Sequence, residues 1–360
     1  MVLRTEKLIP FFTSISHDEN GKAVIYDGSL DGEEVEVSVV GERNDFIKAE
    51  LVRVISPSSD RIEPMCPHFG ICGGCDLLFM TRERECAEKE RIFRSFFGRF
   101  SGVSFLDSVF PQREGSRIRA AFRCDAGSKG FFRRGSHEVV DIGYCPLLDP
   151  ALNDALADLP LRSHVAGTPL SGNGKAEEFM AFKSVEISGY RYHVGNDVFF
   201  QANIPSAAAL LDFVVGFAGN ASEVLDIYAG IGFFSKALES VGRKTIAIEE
   251  NPNCLAYAKK NLKMTEYHNI RVEDAGFLLR KSRPEFVVID PPRMGMTPAA
   301  FRVISGLKPK RIAYVSCAID RSIRDIERFV AQGYSVTHAQ LYDMAPATRH
   351  IETACLLERG

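Results

Sequence analysis

Three groups of residues in this chain have the types and spacings to do chemistry. The first is Cys317, in the stretch Arg311-Ile-Ala-Tyr-Val-Ser-Cys-Ala-Ile-Asp-Arg321. Ile312 to Val315 reads as a short buried strand, followed by a polar segment running into a helix. A thiol just past a strand's carboxyl end stands where open α/β sheets keep reactive side chains. A buried cysteine is otherwise a small hydrophobe, so its neighbours decide its role.

The second group is Glu223-Val-Leu-Asp-Ile-Tyr-Ala-Gly-Ile-Gly-Phe-Phe-Ser-Lys-Ala-Leu238. Val224 to Ile227 is an expected strand. Gly230 and Gly232 permit a tight turn, and a helix then begins with its N-terminus toward a ligand. The next strand, Lys244-Thr-Ile-Ala-Ile-Glu-Glu250, ends in carboxylates. Glu249 stands where a carboxylate reaches ribose hydroxyls. The turn is Asp-x3-Gly-x-Gly, with Ser235 in place of a third glycine. Glu285-Phe-Val-Val-Ile-Asp-Pro-Pro-Arg293 is a further strand, ending in a rigid Asp290-Pro-Pro loop at the same edge. These features favour a methyl donor over a nicotinamide cofactor.

The third group is Cys66-Pro-His-Phe-Gly-Ile-Cys72-Gly-Gly-Cys75, with Cys145 in Gly143-Tyr-Cys-Pro146 as the fourth ligand. The spacing is that of a metal or cluster site. It suits an iron–sulfur cluster on four cysteines, or a structural zinc on four cysteines or on three with His68.

The elements around these groups set the architecture. The chain has 360 residues, 45% of them hydrophobic and 25% charged, which allows two or three domains of ordinary soluble composition. The sequence shows no membrane-length apolar run and no signal h-region near its start, so a cytoplasmic protein is expected. In that compartment the nine cysteines are metal ligands, catalytic groups or buried thiols rather than disulfides. The net charge is −3, but residues 81–134 carry +6, with Phe122, Phe131 and Phe132 interleaved. Such a stretch suits phosphate contacts, or a solvated face of helical ion pairs.

Residues 1–58 alternate with period two in Lys22–Tyr26, Glu34–Val40 and Lys48–Ile55, as expected of a five-stranded OB-type barrel. Ser56–Pro64 reads as a linker. Thr81–Phe100 is an amphipathic helix, residues 117–145 are β-rich, Asp149–Leu159 is helical, and Ser171-Gly-Asn-Gly-Lys175 is a turn. From about Val198 strands alternate with helices, which predicts a parallel-rich sheet with helices on both faces. The domains expected are 1–58, 59–197 and 198–360.

In this order the motifs resemble the RNA uracil-C5 methyltransferases, in particular their iron–sulfur-containing 23S rRNA branch. The resemblance covers nearly the whole chain. The barrel is similar to the family's TRAM domain, and Cys66, Cys72, Cys75 and Cys145 fall in its cluster motif. Phe199-Phe-Gln-Ala-Asn203, Asp226–Gly232, Asp290-Pro-Pro-Arg293, Ser316-Cys317 and His350-Ile-Glu352-Thr match its remaining motifs. The resemblance implies a Rossmann-like methyltransferase domain behind a TRAM-like barrel and a β-rich iron–sulfur domain. It implies S-adenosylmethionine and a [4Fe-4S] cluster as cofactors, and 23S rRNA as partner, with no protein partner and a monomeric state.

By the same resemblance Cys317 is the nucleophile that adds to uracil C6, and Glu352 is the base that removes the C5 proton. Gln201, Tyr228, Gly230, Glu249, Asp274 and Asp290 line the cofactor pocket, and Phe199 stacks on a base. Two places depart from the family pattern: Ala318-Ile319-Asp320-Arg321 replaces an Asn-Pro segment, and Phe233 replaces a polar residue. Other readings are a tRNA uracil-C5 methyltransferase and a non-catalytic RNA-binding assembly factor.

Overall fold

The computed structural model describes residues 1–125, 127–159, 177–180 and 183–360. The turn expected at 171–175 lies outside them. The chain forms two compact units, each discontinuous in sequence. One comprises Met1–Ile92, Phe131–Val140 and Ala347–Arg349; the other comprises Phe93–Gly130, Asp141–Pro346 and His350–Gly360. Among the described residues no helix is long and apolar enough to cross a membrane.

In the first unit β1 (Val2–Arg4), β2 (Lys7–Ile9), β3 (Thr13–His17), β4 (Ala23–Asp27), β5 (Glu34–Glu42) and β6 (Phe46–Ser56) form one sheet, ordered β1-β5-β6-β4-β3-β2. Period-two alternation puts Val24, Tyr26, Val35, Val37, Ile47 and Ala49 into its core. The three strands expected from alternation are β4, β5 and β6. The sheet has six strands rather than five, because β1 and β2 are three-residue pieces too short to show a period. The expected linker is pinned by the fully buried Glu33. Its carboxylate accepts from Ser58 N (3.0 Å), Leu30 N (2.8 Å) and Arg61 Nε (2.6 Å).

Helix α1 (Arg82–Phe97) follows, then β7 (Ser104–Phe105), β8 (Arg119–Cys124), β9 (Lys129–Phe132), β10 (Val139–Asp141), α2 (Pro150–Asp158), β11 (Glu177–Met180), β12 (Ser184–Ile187) and β13 (Tyr190–His193). Helix α2 begins where expected, because Asp149 accepts from Ala151 N at 2.9 Å and caps it.

The second unit is built on α3 (Ile204–Ala218), β14 (Glu223–Ile227), α4 (Phe233–Ser240), β15 (Lys244–Glu249), α5 (Pro252–Asn261), β16 (Glu266–Asn269), α6 (Gly276–Leu279), β17 (Phe286–Ile289), α7 (Pro298–Leu307), β18 (Arg311–Ser316), α8 (Ile319–Val330), β19 (Tyr334–Tyr342) and β20 (Glu352–Arg359). Its eight-stranded sheet runs β16-β15-β14-β17-β18-β20-β19-β7. The pairs from β16 through β18 are parallel, and β20 enters antiparallel between β18 and β19. All four residues of β17, Phe286-Val-Val-Ile289, are fully buried. A strand covered on both faces has no polar side to show, so it reads as an apolar run rather than an alternation.

Gly232 closes the turn from β14 into α4 with φ +85°, and a Cβ there would stand 2.8 Å from the Leu262 side chain. Gly232→Ala should lower unfolding stability by about 1–2 kcal/mol from the left-handed backbone alone, and by more through the contact. In chemical denaturation, adding Leu262→Ala should relieve the contact part and leave the backbone part.

Candidate active site at the carboxyl edge of the sheet

The site grows out of strand ends. Strand β18 delivers Ser316 and then Cys317. Strand β20 runs the other way beside it, with Arg311 opposite Glu358 and Ser316 opposite Thr353. One step further in that register brings Glu352 to Cys317, on the same face because side chains alternate along both strands. On its other edge Glu352 pairs with Tyr342 of β19. Strand β17 lies parallel on the far side of β18, Ile289 opposite Tyr314, and hands Asp290 to the same edge. Its next strand, β14, takes the Asp290 N–H on Ile227 O at 3.3 Å.

Arg293, three residues past Asp290, stands close enough to Cys317 to act on its thiol. Its Nη2 also lies 3.5 Å from His350 Nε2. Enclosure by protein pushes the Cys317 thiol up to about 11, Glu352 and Asp290 push the same way, and Arg293 pulls it down. Glu352 is raised well above the usual carboxylate range by enclosure and by Asp290, again opposed by Arg293. Both shifts favour the neutral form of the group in the free protein. Arg293 lies in the Asp290-Pro-Pro-Arg293 motif, and the resemblance assigns it no role. The signal was present: it is the one cation in a motif otherwise made of an acid and two prolines.

A second cluster of acids occupies the ends of β14 and β15. Asp226 is fully buried; its Oδ2 accepts from Ser235 N (3.0 Å) and Ser235 Oγ (2.6 Å). Ser235 thus uses the position of a third glycine to bind the strand's acid. Asp226 Oδ1 has no hydrogen-bond partner among the described residues. Burial raises Asp226 to about 7, with Glu249 adding to the rise and Ser235 opposing it. Burial, Asp226 and Glu249 raise Asp290 to about 7 as well. Glu249 accepts from Gly230 N (2.8 Å) on Oε2 and from Asn251 N (2.7 Å) on Oε1. These bonds fix it at the turn and leave lone pairs for hydroxyl donors. An orphaned buried carboxylate oxygen, in a group of acids that repel one another, fits a ligand bearing positive charge. A nucleoside with a sulfonium and an α-ammonium group has that chemistry.

Tyr228 sits inside the turn at φ +64°, a conformation that non-glycine residues take up at a cost. Asp274 ends a short 3₁₀ turn and is exposed, while its neighbour Glu273 accepts from Thr297 Oγ1 at 2.7 Å. That bond engages Glu273, and Asp274 Oδ2 lies 3.9 Å from Arg271 Nε. Gln201 is 5% exposed, and Phe199 is 66% exposed with the Arg119 guanidinium 5.5 Å from its ring centre. Asn203, in the same motif as Gln201, caps α3. Its Oδ1 accepts from Ser206 N (3.1 Å), and its Nδ2 donates to Ser116 O (3.3 Å).

The two departures have simple physical readings. Phe233 is buried among Tyr192 (ring centres 5.3 Å apart), Phe200 (5.7 Å) and Phe234 (4.9 Å), so it serves the core beneath the turn. After Cys317 the segment still opens a helix: the Ala318 N–H donates to Ser316 Oγ (3.0 Å), Ile319 is buried, and Asp320 lies in the first turn, where a negative charge is favourable.

The cysteine expectation fares differently. Cys66, Cys72 and Cys75 are buried in the first unit, and Cys145 stands half-buried in the second. Gly74 N donates to Cys72 Sγ at 3.3 Å, as the glycine pair suggested. Gly73, however, answers to the backbone: its N–H donates to Phe132 O (2.8 Å), and a Cβ would come within 3.1 Å of that oxygen. Among the described residues no group of three or more His, Cys, Asp and Glu side chains is arranged to hold a metal ion.

Residues 273–360 match the family described as tRNA (Uracil-5-)-methyltransferase. The chain is 26% identical over 434 aligned residues to a Thermotoga maritima protein named "Uncharacterized RNA methyltransferase", covering 99% of each. It is 28% identical over 418 residues to a Halomonas elongata protein named 23S rRNA (uracil(1939)-C(5))-methyltransferase RlmD, covering 96% of this chain and 86% of that one. Among solved structures, the Pyrococcus abyssi tRNA (uracil-54, C5)-methyltransferase in complex with S-adenosyl-L-homocysteine aligns with a TM-score of 0.76. The alignment covers 99% of this chain and 100% of that one at 19% identity, so the α/β methyltransferase-like fold is shared.

The acid cluster has a pH consequence. Asp226 and Asp290 sit at about 7 in the free protein, and a cationic ligand favours their ionised forms. S-adenosylmethionine should therefore bind more tightly as pH rises through neutrality, by up to about tenfold per pH unit for each proton released. Affinity should level off once both acids are ionised. Calorimetric titration in two buffers of different ionisation enthalpy should register proton release below that plateau, and Asp290→Asn should reduce it.

Proposed function

We propose that this protein is an S-adenosylmethionine-dependent methyltransferase of uracil C5 in 23S rRNA; the match of residues 273–360 to the family described as tRNA (Uracil-5-)-methyltransferase supports the chemistry. The observation that carries the reading is the register that sets Cys317 beside Glu352, with Asp290 and Arg293 facing them. The relatives named for 23S rRNA support the choice of substrate. The fold shared with a tRNA methyltransferase supports tRNA as the second reading.

In this mechanism the target uracil is drawn out of its stack, because C5 and C6 are unreachable within it. The exposed Phe199 ring is placed to stack on a base, with Arg119 behind it. Cys317 gives up its proton to solvent and the thiolate sulfur adds to C6, so that the electron pair of the C5–C6 double bond becomes available at C5. The bound S-adenosylmethionine supplies the methyl group that C5 takes. Glu352, as carboxylate, then removes the C5 proton; the double bond re-forms, the C6–sulfur bond breaks and the thiolate is regenerated. Arg293 stabilises the thiolate at both ends of the sequence. Gln201, Tyr228, Gly230, Glu249, Asp274 and Asp290 are assigned to the cofactor pocket.

Residues 1–58 serve in this reading as an RNA-binding module ahead of a central region, 59–197, and a methyltransferase region, 198–360. The cysteine spacing supports a [4Fe-4S] cluster on Cys66, Cys72, Cys75 and Cys145, in a structural role, since methyl transfer calls for no electron acceptor. Protein purified without oxygen should then be brown and contain about four iron atoms per chain; colourless protein with stoichiometric zinc would overturn the cluster.

The decisive test of the activity is trapping. Glu352→Gln should accumulate methylated RNA bound covalently to Cys317, visible as a band resistant to denaturing electrophoresis. Cys317→Ala should form no such band and make no 5-methyluridine. If 23S rRNA and tRNA both give no methylation and no adduct, the assignment fails. Methylation of tRNA alone would move the substrate and leave the chemistry.

A further inference from the structure

Asp325, on α8, has no part in the steps above, yet it is only 5% exposed and fully engaged. Its Oδ2 accepts from Met296 N (2.8 Å) and from Tyr314 Oη (2.8 Å). Its Oδ1 accepts from Arg328 Nη1 at 3.2 Å. The two Oδ2 donors come from the two segments that build the thiol's surroundings. Tyr314 is on β18, three residues before Cys317. Met296 follows the Asp290-Pro-Pro-Arg293 loop, three residues after Arg293.

The loop is shaped to this carboxylate. Gly295 has φ +76°, and a Cβ on it would lie 2.9 Å from Asp325 Oδ2, so no larger residue could bring the backbone this close. The Gly295 N–H donates to Pro292 O (2.8 Å) and closes the turn that carries Arg293. Arg328 in turn lies 3.9 Å over the Phe301 ring of α7, the helix into which the loop runs.

We propose that Asp325 is a positioning residue of this active site: one carboxylate oxygen clamps the Asp290–Arg293 loop to the nucleophile strand and thereby holds Arg293 against Cys317. The proposal rests on the reading of Cys317 as nucleophile and assigns to α8 the task of keeping thiol and guanidinium in register. The charged groups that face Cys317 are Glu352 from β20 and Asp290 and Arg293 from the loop. Those that face Asp325 are Arg328 from its own helix, Tyr314 from β18 and Tyr228 from the β14 turn.

The sign of the effect separates clamping from charge. Removing a negative charge by itself makes a nearby thiol easier to ionise, whereas losing Arg293 makes it harder. The test is the rate of Cys317 alkylation by iodoacetamide, mapped by peptide mass spectrometry from about pH 7 to about pH 11. It is run on the full chain with Asp325→Ala, Asp325→Asn, Gly295→Ala and Arg293→Ala, and on the double variant Asp325→Ala/Arg293→Ala, together with unfolding midpoints.

Asp325→Ala and Gly295→Ala should move the alkylation midpoint to higher pH by about half to one unit, as Arg293→Ala does. The double variant should move it no further than Arg293→Ala alone. Asp325→Asn keeps an oxygen that both donors can reach and should stay near the parent value. A folded Asp325→Ala protein with an unchanged or lowered midpoint overturns the proposal. So does an Asp325→Asn shift as large as that of alanine. If Asp325→Ala does not fold, Gly295→Ala decides by the same criterion. Alkylation needs neither RNA nor methyl donor, so shifts of the expected kind in a protein that methylates nothing would refute the proposed function and leave the clamp standing.

Discussion

The structure depends most on the antiparallel entry of β20 beside β18. Six successive pairs, from Arg311 with Glu358 to Ser316 with Thr353, fix that register. Both strands lie in the buried middle of the sheet, with Ile312, Ala313, Val315, Ala354, Leu356 and Leu357 at 1% exposure or less. A slip of one residue would turn each of these side chains to the opposite face and would carry Glu352 away from the thiol. The apolar packing that makes the slip costly is therefore the same packing that places the site. Each fully buried large side chain contributes on the order of 1.5–3 kcal/mol to holding it.

Around that register the protein gathers more negative than positive charge. Asp226, Asp290, Glu249 and Glu352 influence one another, and Arg293 is the guanidinium that opposes the rise at Glu352 and Cys317. Enclosure and mutual repulsion raise Asp226, Asp290 and Glu352 above the usual carboxylate range. Such an arrangement is poor for stability and suited to binding a cation and moving protons. The free protein stores its nucleophile as a thiol. The guanidinium marks where the negative charge develops, and the acids mark where a positive ligand belongs.

Much of this was legible because certain residues have few uses. A glycine with φ +85° that also lies against Leu262, at position 232, could be read as a tight turn before a helix. The apolar run of β17 and the acid after it could be read as a buried strand with a reactive end. Other residues have chemistry with two outlets. Asn203 is polar and buried, and a helix N-terminus takes up its hydrogen bonds. Gly73 lies in the cysteine stretch, and its backbone comes close to that of Phe132. The surroundings of Glu273 and Asp274 depend on Thr297, distant in sequence, which donates to Glu273.

By itself the sequence determined the local pieces: strand, turn and helix around Gly230–Gly232, the carboxylate at the end of β15, and a thiol at the end of a strand. Propensity, glycine conformation and burial periodicity act over a few residues, so they can be read from a few residues. Only the tertiary structure decided that the last strand reverses beside β18, that Arg293 stands near Cys317, and that Asp325 joins loop to strand. Those are pairings across long stretches of chain. They are set by which faces can be buried together, and no local preference encodes them.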